Sequence, residues 1–559
     1  MLWARCGGSK VLSVMILALG VWLGLSSPAG AVVRDIYNIS DLQNHFVNAG
    51  PGDELVLHPG TYYLGWSLYI SGNKAGLIIR GSTGDPADVI IHGSGMNNSS
   101  GVYEGIQTTV DNVQIRDLTV AEFFHHGLHF QPGADGTLVR NVVTRNIGEH
   151  HMKGAKYNRD GVIEFCRMEQ TATRQNGLPN RPDNYLGGID LLGATAWTIR
   201  DNVAKDIMAA DFGYGDPGVF LWQEIIDCVT ERNVVINCNK GIGYGNPSAG
   251  TLYHAEGGII RNNFIVRGND IGLELCYTKN VKVYNNTIYS ADGNYFRSLH
   301  VLDNATIATV NLDLRYNIIR GRILDNTQAG GWTSTGDIVG STATADWFVD
   351  PLNGDLHLTA LATPAIDAAA LLADVPADID GDLRPSGGDP DVGADEYLWP
   401  LPSLVSSDPP ADGTLCKSQN NVILLTFDSA ISLPASGPAL SIFGGGFEEG
   451  DAFTYSVEPE PDGLTLKAVE QGPILADQTW YHVTPTAGFG VEPVAFDLCM
   501  LTGDANNSAR VTTADYTEVK LHMGEYTDAR YDVNGSGRVT TADYSVVKTS
   551  MGNRAPVKP

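Results

Sequence analysis

Short runs of β-branched and apolar residues, each with one distinctive central residue, recur through the first two thirds of the chain. Asn holds the centre in "TLVRNVV" (Asn141), "WTIRDNV" (Asn202), "CVTERNVV" (Asn233), "GIIRNNFI" (Asn263), "VKVYNNTI" (Asn286) and "LDLRYNII" (Asn317). "VQIRDLTV" and "GVIEFCRM" fit the same slot with Asp117 and Phe165. Successive centres lie 24, 24, 37, 31, 30, 23 and 31 residues apart. A second short strand follows near a Gly, as in "HGLHF", "GGIDL", "PGVFLW", "KGIGYG" and "IGLEL". Strands this short cannot bury a core alone, so the units must stack, and the pattern predicts a parallel β-helix. The recurrent Asn suits a bend at which side-chain amides hydrogen-bond from coil to coil.

Two changes of pattern follow. From Leu401 to Leu498 a Pro-rich entry, "SSDPPADGT", gives way to alternating strands such as "NVILLTFDSAI", "LTLKAV" and "TWYHVTP", which predict a β-sandwich. Then one acidic phrase is stated twice, "GDANNSARVTTADY" from Gly503 and "DVNGSGRVTTADY" from Asp532, each followed by a short helical segment. Numbered from its first Asp, the first loop places Asp504, Asn506, Ser508, Arg510, Thr512 and Asp515 at positions 1, 3, 5, 7, 9 and 12. The second places Asp532, Asn534, Ser536, Arg538, Thr540 and Asp543 there. Ca²⁺ takes six to eight oxygens, and alternating side chains, a position-7 carbonyl and a position-12 carboxylate supply them on one side of a tight loop.

Composition narrows the class. The 559 residues are 43% hydrophobic and 18% charged, too apolar for a disordered chain and too long for one ordinary domain. The formal charge of -28 works against nucleic acid, whose phosphate backbone calls for basic patches, although a local cluster of Lys, Arg or a metal ion would still let an acidic protein hold a polyanion. Arg5 and Lys10, the apolar run "VLSVMILALGVWLGL" and the small residues of "SSPAGA" predict a secretory leader cut after Ala31. No later segment is long and apolar enough to span a membrane. No CxxC pair suggests zinc or redox chemistry, and Cys416 and Cys499 bracket the sandwich as a candidate disulfide. Cys166, Cys228, Cys238 and Cys276 lie in strand-like runs and read as small core residues.

The coils, with the opening "GPGDELVLHPGTYYLG" and the closing "FVDPLNGDLHL" and "DIDGDLRPSGGDPDVGADEY", resemble the secreted right-handed β-helix proteins that include pectate lyases, alginate lyases and chondroitinase B. The sandwich is similar to bacterial Ig-like modules, which are usually spacers. The duplicated loop-then-helix resembles a type I dockerin. That resemblance implies two calcium ions and docking onto a cohesin through positions 10 and 11 of each loop, here Thr513 and Ala514, and Thr541 and Ala542. Lys520 and Lys548 sit at equivalent helix positions and would border the contact. Position 5 is Ser where the family commonly has Asp, and Ala509 stands where the turn favours Gly, which weakens the first site. The expected organisation is a leader at 1–31, a right-handed parallel β-helix at 32–398, an Ig-like sandwich at 399–500, a dockerin pair at 501–553 and a tail at 554–559.

Function is expected on one face of the coils. Strand alternation puts His129, Lys153, Asp190 and Glu274 outward, with Phe220 and Trp222 as exposed aromatics for stacking on sugar rings. The densest polar cluster is "GEHHMKG". With the resemblance to β-helix polysaccharide enzymes, the first expectation is a lyase that cleaves a uronate polymer by β-elimination, with Lys153 as base, His129 or His151 as helper, and Asp190 or Glu274 holding a groove calcium against the substrate carboxylate. The insertion "TATRQNGLPNRPDNYL" would wall the groove and offer Arg174 and Arg181 to the substrate. The alternatives are a glycoside hydrolase using two carboxylates from Asp190, Asp211, Glu224 and Glu274, and a non-catalytic carbohydrate-binding rod.

Overall fold

A computed structural model describes residues 30–209, 215–248, 250, 252–293, 295, 297–304, 306–328, 330–399, 402–416, 422–429, 440–444, 454–459, 464–471, 475–485, 496–526 and 530–558. All of the expected leader except Gly30 and Ala31 lies outside the described residues, as does Asp211. Among the described residues no helix is long and apolar enough to cross a membrane. The chain divides into two compact units, Met1–Leu398 and Trp399–Pro559.

The first unit is a parallel coil. Two strand positions per coil build a 21-stranded sheet, and a third builds a ten-stranded sheet, both wholly parallel in their pairings. The ten-stranded sheet carries the candidate site. Its strands are β1 (Leu68–Ile70), β2 (Ile106–Thr108), β3 (Leu128–Phe130), β4 (His150–Gly154), β5 (Gly187–Leu192), β6 (Pro217–Trp222), β7 (Lys240–Tyr244), β8 (Ile271–Cys276), β9 (Leu299–Leu302) and β10 (Ile323–Asn326). Leu128, Met152, Ile189, Val219, Ile242, Leu273 and Leu299 fall in one register column and are fully buried. Each such aliphatic side chain contributes about 1.5–3 kcal/mol by leaving water.

The predicted amide ladder is present. Asn202 Nδ2 donates to Asn233 Oδ1 at 3.0 Å, Asn233 to Asn263 at 3.0 Å, Asn263 to Asn286 at 2.9 Å and Asn286 to Asn317 at 3.0 Å. Asn317 donates at 2.8 Å to Asp337 Oδ1. The alignment of the first coils is corrected by one residue. Asp117, Asn141 and Phe165 have the positive φ of Asp201, Arg232, Asn262, Asn285 and Tyr316, each of which precedes a ladder Asn. The ladder therefore starts one place later, where the Cys166 N–H donates to Asn202 Oδ1 at 2.9 Å.

At the start of the coil, α1 (Ile39–Val47), N-capped by the Asn38 side chain, inserts Leu42 and Phe46 into the same core. The segment from Ala343 to Ala394 packs Trp347, Phe348 and Leu356 with Phe264, Tyr289 and Ile318 in a second cluster. Arg384 in that segment and Glu396 just beyond it, both buried, pair at 2.8 Å.

The second unit holds two four-stranded sheets, the make-up expected of a sandwich. One has the order Leu404–Asp408, Val422–Phe427, Thr465–Gln471, Thr454–Pro459. The other runs Thr414–Leu415, Phe496–Met500, Thr479–Pro485, Leu440–Gly444. Cys416 and Cys499 are not joined in the candidate disulfide, and Cys416 Sγ donates to the Arg530 carbonyl. Two helices close the unit, α2 (Thr513–Leu521) and α3 (Thr541–Thr549), each begun by a capping box (Thr512 with Asp515, Thr540 with Asp543). Between them lies a small core of Leu501, Val511, Val519, Val533, Val539 and Val547.

Candidate active site on the ten-stranded sheet

One register column runs Tyr69, Gln107, His129, Lys153, Asp190, Phe220, Gly243, Glu274, His300 across β1 to β9. Their strand neighbours form the core, so period-2 alternation turns this column to the outer face. The predicted His129, Lys153, Asp190 and Glu274 do share it. Lys153 is 8% exposed and Asp190 fully buried, and the Lys153 ammonium donates to Asp190 Oδ2. Trp222 Nε1 donates to Asp190 Oδ1 at 2.9 Å, and His150 Nε2 lies 3.3 Å from Asp190 Oδ2 and 3.1 Å from Asp216 Oδ2. Tyr185 packs edge-on against His150, ring centroids 4.2 Å apart, and its ring is 5.3 Å from Lys153 Nζ.

Upstream in the same column the cluster continues with more imidazoles. His129 Nδ1 is 3.0 Å from Glu104 Oε2, and the His126 ring stands 4.9 Å from that of His129. His126 Nε2 faces Glu149 Oε2 at 3.5 Å. Burial, with the charges of His150, His129 and Lys153 behind it, holds His126 well below the usual imidazole range, so the ring is neutral. Burial raises Glu149 to about 7 against the opposing pull of Arg174 and Arg181. Burial first, then the carboxylates of Asp190, Glu149 and Asp216, also raise the Tyr185 phenol, which keeps its proton.

Several expected roles are corrected. His151 turns into the coil: it is fully buried, its Nδ1 is 2.8 Å from Thr144 Oγ1, and burial lowers it to about 3. The adjacent His150 is the one that reaches Asp190. Phe220 is 3% exposed, stacked on Trp222 at 5.4 Å, so only Trp222 of that pair is partly open. Arg174 and Arg181 are buried and hold the insertion together. Arg174 donates to the carbonyls of Gly148, Pro182 and Asp183, and Arg181 to those of Met96 and Gln175. The insertion's contribution to the site is Tyr185. Asp190 and Glu274, expected to hold a groove calcium, are instead engaged by ammonium groups, Glu274 by Lys240 at 2.7 Å.

The alternative carboxylate pair fares poorly on spacing. Asp190 and Glu274 are three strands apart in register, about 14 Å at the usual strand separation. Glycosidase pairs stand about 5–9.5 Å apart. Glu224 is paired with Lys156 at 3.4 Å.

The terminal loops are built for a hard cation. Asp504, Asp515, Asp532 and Asp543 are buried, and none forms an ion pair among the described residues. Burial, with the Asp515 charge beside it, raises Asp504, the mark of an acidic pair that a cation would relieve. Ser508 N–H and Ala509 N–H donate to Asp504, and Asn506 N–H and Thr512 N–H donate to Asp515; Asp532 and Asp543 repeat the pattern with Ser536, Gly537, Asn534 and Thr540. Thr512 and Thr540 spend their hydroxyls as helix N-caps. Ser508 and Ser536 hydroxyls donate to the Arg510 and Arg538 carbonyls. Thr513, Ala514, Lys520, Thr541, Ala542 and Lys548 are all exposed on the helices.

Residues 502–551 match the family model described as the Dockerin type I domain, a class that binds calcium. No curated protein matches the chain. Among solved structures, similar ones include the PL6 family alginate lyase AlyGC, at 13% identity and a TM-score of 0.30, covering 55% of this chain and 51% of that one. The chain thus spans about half the length of that lyase. The PL6 family polysaccharide lyase Pedsa3628 from Pseudopedobacter saltans is 11% identical at a TM-score of 0.29, covering 56% and 94%. Endopolygalacturonase I from Stereum purpureum is 9% identical at a TM-score of 0.32, covering 55% and 100%. Likenesses this distant do not bear on activity.

Proposed function

We propose that the coiled unit is an exported polysaccharide lyase that cleaves a uronate-containing polymer by β-elimination, tethered to a cohesin-type scaffold by a calcium-folded dockerin. The two four-stranded sheets between them serve as an Ig-like spacer. The observation that carries the reading is the cluster in which Lys153 and Asp190 of the outward column are met by His150 and by Tyr185 of the insertion, with aromatic rings on both sides of it. Tyr69, 49% exposed, and Trp222 stand five strands apart, about 24 Å, enough for a polymer to lie along the column.

In this reading Lys153 takes the proton from the carbon beside the substrate carboxylate. It is first relieved of its own through Asp190 and His150 to Asp216, the solvent-reaching end of the chain of contacts. The C–O glycosidic bond then breaks as the C=C bond forms, and the neutral Tyr185 phenol gives a proton to the leaving oxygen. The test uses the protein in calcium against a panel of uronate and neutral polysaccharides, recording near-ultraviolet absorbance and reducing ends together, with Lys153→Ala beside it. Both signals rising, and both lost in the variant, support the lyase. Reducing ends without absorbance mean hydrolysis, and silence on every substrate leaves a binding rod.

A further inference from the structure

The proton path above makes no use of Glu104, His126 and His129, which each bring one ligand atom within 4.8 Å of the other two. We propose that these three side chains bind a divalent transition metal of the zinc type, with a coordination position left open toward the groove beside Lys153. The metal's role against a substrate carboxylate rests on the lyase reading, but the site itself does not.

The donor set selects the ion. Two imidazoles and a carboxylate are the ligands of Zn²⁺ and its neighbours, whereas Ca²⁺ wants six or more oxygens. Three protein ligands leave the fourth position free, as in catalytic zinc sites. In a tetrahedral site with bonds of about 2.0–2.1 Å, ligand atoms stand about 3.3 Å apart. His129 Nδ1 and Glu104 Oε2 are already 3.0 Å apart; an ion between them would displace the Gln131 amide, 3.1 Å from the same nitrogen, and His126 has to swing inward.

His126 supplies the second, independent sign. It is 6% exposed, and its Nδ1 has no hydrogen-bond partner among the described residues. A buried polar atom left bare costs about 1–3 kcal/mol, and an ion on Nδ1 removes that cost. The other nitrogen, Nε2, faces the Glu149 carboxylate at 3.5 Å. That is the outer carboxylate by which metal-bound imidazoles are oriented. His129 is fixed by the burial of its strand neighbours Leu128 and Phe130, and Glu104 comes from the preceding coil, so the site is spread over two packed turns.

The test is a titration of the metal-stripped full chain with Co²⁺ and then Zn²⁺, in calcium that saturates the terminal loops. The expected result is one Co²⁺ per chain with a visible ligand-field band that Zn²⁺ abolishes and excess Ca²⁺ does not. His129→Ala and Glu104→Gln should each weaken binding about 100-fold or more while circular dichroism stays unchanged. Asp504→Ala with Asp532→Ala should leave the band intact. No band, or a band that survives both groove variants, overturns the site. A band without cleavage of any polymer would keep the metal and sink the lyase, and cleavage by metal-stripped protein that shows no band would do the reverse.

Discussion

Lys153 and Asp190 stand opposite one another in register on β4 and β5, and the ammonium of the one donates to the buried carboxylate of the other. An ion pair so covered is costly to break from one side, because the survivor is left charged and poorly solvated.

Lys153→Met is therefore expected to destabilise the coiled unit by about 3 kcal/mol as well as to abolish cleavage. Trp222 and His150 still hold Asp190, which keeps the loss at the lower end. The double variant Lys153→Met with Asp190→Asn should regain most of that stability and none of the activity, read by urea unfolding and the absorbance assay.

Tyr185→Phe removes only a phenol oxygen and leaves the ring against His150. Turnover should fall about 10²–10⁴-fold with the melting temperature unchanged. An unaltered turnover would remove Tyr185 from the proton transfer.

Asn263→Leu cuts the ladder in its middle, stranding the Asn233 side-chain and backbone N–H groups that both donate to Asn263 Oδ1, while Asn286 Oδ1 keeps the backbone N–H of residue 263. With about 1–3 kcal/mol for each stranded group, a loss of about 2–5 kcal/mol is expected in unfolding of the first unit. A comparable Asn to Leu change at Asn141, which is outside the ladder, should cost less.

His357 lies between Asp355 Oδ1 at 2.6 Å and Asp380 Oδ2 at 2.9 Å. Burial alone would lower it, but the Asp380 hydrogen bond and the Asp395, Asp380 and Asp355 carboxylates outweigh burial and raise it to about 10 from 6.5. A folded value above the unfolded one means stability that is fully present below pH 6.5 and is lost as pH rises through 10. Burial likewise raises Asp395 to about 7 from 3.8, so its protonated form favours the fold and its contribution fades over the lower range. Melting temperature should fall from pH 6.5 to 10, and His357→Gln should flatten that slope.

Ala509 sits at φ 60° in the first terminal loop, where the second loop has Gly537 at φ 84°. A left-handed non-Gly residue costs about 1–2 kcal/mol. Ala509→Gly is expected to raise calcium affinity at the first loop several-fold, measured by calorimetry, and chelation should unfold both α2 and α3 by circular dichroism.

The coil was legible because its apolar runs repeat, and the ladder because Asn recurs at bends. Its first coils were misaligned by one residue because Asp117 and Asn141 are polar for a different reason: they occupy left-handed backbone. The outward column was legible from alternation at His129, Lys153, Asp190 and Glu274. Alternation failed at His151, where two successive residues, His151 and Met152, both enter the coil and hand the site to His150. Tyr185 lay in the insertion whose arginines drew attention by charge, although those arginines serve backbone carbonyls. His126 had a visible signal in "FFHHGLHF", but Glu104 had none, since only stacking of coils brings it to His129.

The amide ladder also has a direction. Every Asn gives its N–H to the next Oδ1, the first Oδ1 is satisfied by the Cys166 backbone, and the last partner, the Asp337 carboxylate, only accepts. The row is thus a polar thread with a chemically distinct start and stop. A coil duplicated or deleted between Asn202 and Asn317 would leave no group unpaired, while a break beyond either terminus would. The number of coils is free to change by whole turns, and the ends of the row are not.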